Sequence, residues 1–110
     1  MIVGTPLLWA AYNGNVNIAK LLVAKKAAIN QKNKPYGNAT LHLAALQGHV
    51  VLAKMLIDNG ADINQKNFAG LTPLYLAKEC NQLAMVDLLA TYQDELDGVA
   101  NQNSSSPNEQ

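Results

Sequence analysis

The sequence predicts an all-α solenoid of stacked helix-turn-helix units, and three observations carry that expectation. The first is a repeat. Leu7, Leu41 and Leu74 stand 34 and 33 residues apart, and around them run TPLLWAA (5–11), ATLHLAA (39–45) and TPLYLAK (72–78). Further on, GNVNIAKLLVAKKAAIN (14–30), GHVVLAKMLIDNGADIN (48–64) and NQLAMVDLLATYQDELD (81–97) align, and INQKN occurs at both 29–33 and 63–67. A fixed period of this size marks a repeat architecture. The second observation is length. Each copy holds two apolar-striped stretches too short to be stable as isolated helices, which are marginal below about 12–15 residues. Stacking supplies the missing burial. The third is punctuation, because helix starts and stops recur at matching places.

In the first copy, helices are expected over Pro6–Tyr12 and Val16–Lys25. Thr5 offers a hydroxyl to a free backbone N–H, and Pro6 sits where its missing N–H does no harm. Gly14 separates the two helices. In the second copy the first helix runs from Thr40 to Gln47 and stops at Gly48, which tolerates the left-handed region. The second runs from Val50 to Asp58, with Leu52, Ala53, Leu56 and Ile57 at helical spacing, and Gly60 ends it. In the third, Thr72 caps, Pro73 opens, Leu74, Leu76 and Ala77 form the apolar stripe, and Asn81 stands where the other copies have glycine.

Two local rules are broken. Ala39-Thr40 replaces Thr-Pro in the second copy, so a cap moves or is lost, at about 1 kcal/mol. Lys26 replaces the glycine that closes the second helix, at about the same cost. A marginal fold follows, melting below about 75 °C. The third copy ends in Gln93-Asp94-Glu95, a polar finish suited to a C-terminal cap. At the other end Ile2, Val3, Leu8 and Trp9 offer apolar surface, which implies a longer array or a cover supplied by something else. Trp9 aligns with Leu43 and Leu76 and is assigned to packing. The repeats span 3–30, 31–63 and 64–97, and the polar tail at 98–110 is expected to be disordered.

The chain has 110 residues, 49% hydrophobic and 15% charged, a globular composition for one domain. Cys80 is the one cysteine, so no internal disulfide is possible and a reducing, intracellular setting is expected. The cytoplasm is the expected compartment, with delivery into a host cell as the alternative. No apolar run reaches the roughly 18–20 residues of a membrane helix. The net charge of +0 hides a split: residues 1–54 carry six lysines and no acid, and residues 55–110 carry two lysines and eight acids. The plain reading is one solvated basic end and one solvated acidic end. There is no arginine, which counts against nucleic-acid recognition.

These residues resemble the ankyrin repeat, whose signature is Thr-Pro-Leu-His-x-Ala in a helix-turn-helix unit of 33 residues. The resemblance rests on Thr5-Pro6-Leu7, Leu41-His42-Leu43-Ala44-Ala45 with Gly48-His49, Thr72-Pro73-Leu74, and Gly60-Ala61-Asp62-Ile63-Asn64, and covers residues 3–97. It implies that 30–39 and 64–72 project as short β-hairpin fingers. First helices then line a concave face and second helices form the convex back. It further implies a scaffold that binds another protein, without a cofactor and without catalysis, as a monomer or within a longer array.

The chemistry-bearing residues agree with that expectation. His42 and His49 occupy signature positions and are read as structural, since a metal would need further ligands nearby. Cys80 has no Lys-His cluster to activate it. Gly37 and Gly70 occur singly, so no loop is rich enough in glycine to cradle phosphate. Asp94, Glu95 and Asp97 read as a solvated cap. What remains is surface. The resemblance places the variable binding positions at Tyr12, Asn13, Leu46, Gln47, Glu79 and Cys80 on the helices. On the fingers it places them at Lys32, Lys34, Tyr36, Asn38, Lys66, Phe68 and Leu71. Tyr36 and Phe68 are the sharpest, being aromatics at finger tips, although each ring could instead fold back on its own hairpin. Leu56 followed by Asp62-Ile63-Asn64 also resembles the site of asparaginyl hydroxylation in such repeats, against the plainer reading that Asn64 pairs with finger backbone. Two alternatives to the binding module stand: a regulatory or targeting segment of a larger enzyme or effector, and weak binding of an anionic surface or nucleic acid by the lysine-rich half.

Overall fold

The computed structural model describes residues 4–98. Six helices follow one another: α1 (Pro6–Asn13), α2 (Val16–Ala24), α3 (Thr40–Gln47), α4 (Val50–Asp58), α5 (Pro73–Glu79) and α6 (Leu83–Gly98). They pair as α1–α2, α3–α4 and α5–α6. The first helices stack as one layer (α1, α3, α5) and the second helices as another (α2, α4, α6). The core between them is small-to-large: Ala10, Ala11, Ala44, Ala45 and Ala77 let backbones approach, and Leu7, Leu41, Leu52, Leu56, Met85 and Leu89 fill the space. The expected tail at 98–110 lies outside the described residues apart from Gly98, the last residue of α6.

Helix ends follow the punctuation. The Thr5 hydroxyl accepts from Leu8 N–H at 3.3 Å, and that of Thr72 accepts from Tyr75 N–H at 3.2 Å. Gly14, Gly48 and Asn81 take φ of 75°, 77° and 56°, and Lys26 is held at φ 71° where Gly60 sits at 102°. In the second copy Ala39 gives no side-chain cap, and two bonds of a different kind tie down the start of the helix. His42 Nδ1 accepts from Ala39 N–H at 3.1 Å, and the Thr40 hydroxyl donates to the Ile29 carbonyl at 2.7 Å.

The fingers fold back as hairpin-shaped turns, and no strand forms among the described residues. In the first finger Asn33 N–H donates to the Asn38 carbonyl at 2.8 Å; in the second, Asn67 N–H donates to the Leu71 carbonyl at 2.9 Å. The longer closure of the first finger accommodates the extra residue in Lys34-Pro35-Tyr36.

The expected open end holds for Trp9, which is 43% exposed, and not for Leu8. Leu8 is buried at 1% exposure, whereas Ile18 and Leu21 on α2 are 48% and 56% exposed. Ile18 aligns with Leu52, which is 1% exposed on a helix that packs against α2; among the described residues no second helix of an earlier repeat packs on α2 to do the same for Ile18. Ile2 and Val3 lie outside the described residues. At the other end the expected polar cap is a helix continuation. α6 runs 16 residues where α2 and α4 run 9, and Gln93, Asp94 and Glu95 lie within it.

Candidate functional site

The first-helix layer and the fingers meet at a hollow of about 320 Å³. Tyr12 of α1 and Tyr36 of the first finger both line it. Leu43, Leu46 and Gln47 of α3 supply the floor, and Asn33 and Asn38 the finger base. Helical spacing brings Leu43, Leu46 and Gln47 to one face of α3. Five of the residues expected from the sequence therefore converge: Tyr12, Tyr36, Asn38, Leu46 and Gln47.

The others lie elsewhere. Asn13 ends α1 and is exposed, as are Lys34 and Lys66 on the fingers and Glu79 and Cys80 at the end of α5. Phe68 is 61% exposed, and its ring lies over Gly37 of the first finger, where any Cβ would strike it. Lys32 Nζ stands 5.7 Å from the ring centroid. The ring thus folds onto the neighbouring finger rather than its own. Leu71 is half-buried and uses its carbonyl rather than its side chain, accepting from Asn67 and from His42.

Asn38 was expected at the surface and is 8% exposed. Its Oδ1 accepts from Asn67 Nδ2 at 2.9 Å, and Phe68 N–H donates to the Tyr36 carbonyl at 3.0 Å. These bonds tie the two fingers together, so Asn38 cannot leave the interior without releasing them. Trp9 departs the other way. It is 43% exposed against 4% for the aligned Leu43, which lies beside the first finger in the hollow, and no finger precedes Trp9 among the described residues. Its ring instead meets that of Tyr12 edge-on, with centroids 6.3 Å apart.

Asn33 was not singled out from the sequence. It is 5% exposed, closes its finger through the backbone, and accepts from Asn38 N–H through Oδ1 at 2.9 Å. Asn67 repeats the arrangement, accepting from Ala69 and Leu71 N–H at 3.0 Å each. The signal was present in the duplicated INQKN, whose last asparagine organises each finger.

Both histidines hold the stack. His42 is fully buried. Its Nδ1 accepts from a backbone N–H and its Nε2 lies 2.8 Å from the Leu71 carbonyl, so the proton sits on Nε2 and the ring is neutral. Burial lowers its pKa from 6.5, and Lys32 adds to the effect against opposing backbone hydrogen bonds. His49 Nε2 reaches the Tyr12 carbonyl at 3.2 Å, and Gln82 Nε2 donates in the same way to the Leu46 carbonyl at 3.0 Å. Each fastens one repeat to the end of the preceding first helix.

Asn30, the counterpart of Asn64, pairs with the loop that follows α4 rather than with finger backbone. Its Nδ2 donates to the Gly60 carbonyl at 3.1 Å and its Oδ1 accepts from Asp62 N–H at 2.9 Å. Asn64 aligns with Asn30, but α6 continues where the Gly-Ala-Asp loop would receive it. Its side chain is exposed and forms no hydrogen bond among the described residues.

The family model for ankyrin repeats, in three copies, matches residues 3–67. That is more than half of the chain, and the protein belongs to the ankyrin-repeat family. Members of this family are in general protein-binding modules rather than enzymes. No curated protein matches the sequence closely enough to count as a relative. No helix among the described residues is long and apolar enough to cross a membrane.

Proposed function

We propose that the chain binds a partner protein on its concave face, with the hollow between Tyr12, Tyr36 and Leu46 as the seat and the finger tips as its rim. The observation that carries this reading is convergence. Residues from a first helix, the next first helix and a finger line one hollow, and two of them are tyrosines. Aromatic side chains dominate binding energy when they fill or line such sites. Lys32, Lys34, Lys66 and Phe68 extend the surface along the fingers, and Asn13, Leu71 and Glu79 flank it. Affinity capture from the source cells tests it, run with the unchanged chain and with Tyr36→Ala and Phe68→Ala. A partner retained by the first and lost by Tyr36→Ala at unchanged melting temperature supports the reading. A partner indifferent to both changes removes it. No turnover is expected from this surface. An activity abolished by changing His49 in a variant shown to be folded would contradict that.

A second reading is carried by α2. Ile18 and Leu21 present apolar surface where the aligned positions of α4 are largely covered. The module would then serve as one segment of a larger protein, with another folded unit laid over them. Finding this sequence within a longer polypeptide in the source cells supports it; finding only the 110-residue chain removes it. Hydroxylation of Asn64 is a separate proposal, supported by its exposed and unengaged amide. Mass spectrometry of the protein from its native cell tests it.

A further inference from the structure

The charge around the hollow narrows the class of partner. Helices α1 and α3 and both fingers carry no carboxylate, while the fingers carry Lys32, Lys34 and Lys66. The one acid in the first-helix layer is Glu79 of α5, beside Lys78. The eight acids of the chain otherwise lie on α4, α6, the convex loop at Asp62 and the tail. The first helices and fingers therefore carry lysines and, Glu79 apart, no acid, and the hollow between them has a largely apolar lining.

The finger base adds hydrogen-bond donors. Asn33 and Asn38 are 5% and 8% exposed and both line the hollow. Each spends its Oδ1 on a finger bond, and neither Nδ2 has an acceptor among the described residues. An amide donor on the wall of an apolar hollow is matched by a carbonyl acceptor. Extended peptide backbone supplies carbonyls at regular intervals, as in other recognition of extended segments.

We propose that the hollow takes an extended acidic segment of a partner protein. One large apolar side chain of that segment seats on Leu43 and Leu46 between Tyr12 and Tyr36. Its carboxylates, to either side, meet Lys32 and Lys34, and its carbonyls accept from Asn33 and Asn38. This rests on the concave-face reading above and adds to it the chemistry of the partner. Nucleic acid fits less well. The chain has no arginine for bidentate phosphate contacts, and no lysine is among the residues that line the hollow.

The experiment is selection of a random peptide library displayed on phage against the full chain. Titration of the synthetic consensus peptide against the chain and its variants follows. The expected consensus is acidic with one fixed aromatic or large aliphatic position. Tyr36→Ala, at an exposed ring, weakens binding about tenfold or more, the size of loss that truncating an anchor brings. Lys34→Glu, at an exposed finger tip, slows association and reduces its dependence on salt. Circular dichroism melts confirm that both variants remain folded. A neutral or basic consensus that still responds to Tyr36→Ala overturns the acidic partner and leaves the concave-face reading standing. A consensus indifferent to Tyr36→Ala overturns both. Failure to enrich any peptide overturns the acidic segment. So does an oligothymidylate that binds as tightly as the consensus peptide and competes with it, because a general polyanion site would then explain the lysines.

Discussion

Ile18 and Leu52 hold the same position in the repeat, one in the first copy and one in the second. The first is 48% exposed and the second 1%. At one position of the inner layer the gradient reverses: Leu8 and His42 are 1% and 0% exposed, and the aligned Tyr75 is 46% exposed. Second-helix positions such as Ile18 and Leu52 are covered by the repeat before them, and the first-helix position shared by Leu8, His42 and Tyr75 by the finger after it. Only the middle repeat receives both covers among the described residues. Burial here is a property of neighbours rather than of the repeat sequence, as expected for a quasi-one-dimensional stack.

The largest expected effect follows directly. Leu52→Ala removes side-chain carbons from a fully buried site and should cost about 2–5 kcal/mol. Ile18→Ala, at the half-exposed counterpart, should cost under about 1 kcal/mol. Urea unfolding of both variants measures the difference. Equal losses would show that α2 is covered in solution.

His42 sharpens the comparison on the inner layer. Its two ring nitrogens serve two backbone groups, Ala39 N–H and the Leu71 carbonyl. His42→Leu should leave both unpaired, at about 1–3 kcal/mol, although the aligned Leu8 is at home in its own copy. The pH dependence has a definite sign. The folded pKa lies below the ordinary 6.5, so the unfolded chain binds the proton more readily. The stability from neutral His42 is complete above 6.5. It is lost as pH falls from 6.5 through the lower folded value. Thermal melts between about pH 7.5 and pH 5 should show a decline in the natural chain that is smaller in His42→Leu.

The contrast also separates what the sequence reveals from what it leaves hidden. Period, helix bounds and the left-handed sites at Lys26 and Asn81 were legible, because they depend on local backbone rules and close matches between copies. Trp9 was misassigned because alignment transfers burial only where the neighbours are transferred too. Asn38 lines the hollow as a candidate residue but is less exposed than expected, because a finger position counts as open surface until a second finger docks on it. The continuation of α6 was missed because a polar ending is compatible both with a cap and with further exposed helix. Of the site, Tyr12, Tyr36, Asn38, Leu46 and Gln47 are legible in the sequence, and Leu43 is read there only as core. Asn33 was not singled out, since its duplication looked like spacing rather than structure.

Lys26 and Gly60 close the same helix in successive copies, and the difference between them predicts a gain. Lys26 holds φ 71° and is exposed, so its side chain contributes little while its backbone is strained. Lys26→Gly should stabilise by up to about 1 kcal/mol. The reverse change, Gly60→Ala, meets no atom within 4 Å at its new Cβ yet should destabilise by a similar amount, because the strain is in φ 102° and not in crowding. Paired melts decide between the two causes.

The smallest effect tests whether one task can be done by two side chains. His49 Nε2 reaches the Tyr12 carbonyl at 3.2 Å, and Gln82 Nε2 reaches the Leu46 carbonyl at 3.0 Å. Each lies over the glycine, Gly14 or Gly48, that ends the preceding first helix. The glycine is needed twice over: its φ is left-handed, and a Cβ would collide with the bridging side chain. A glutamine amide and an imidazole both present one N–H at the needed reach. His49→Gln should therefore change stability by no more than about 0.5 kcal/mol, whereas His49→Ala should cost about 1 kcal/mol for the lost bond. If His49→Gln costs as much as His49→Ala, the bridge is not interchangeable and the ring packing on Gly14 carries the stability. A small cost to glutamine alongside a full cost to alanine assigns it to the hydrogen bond.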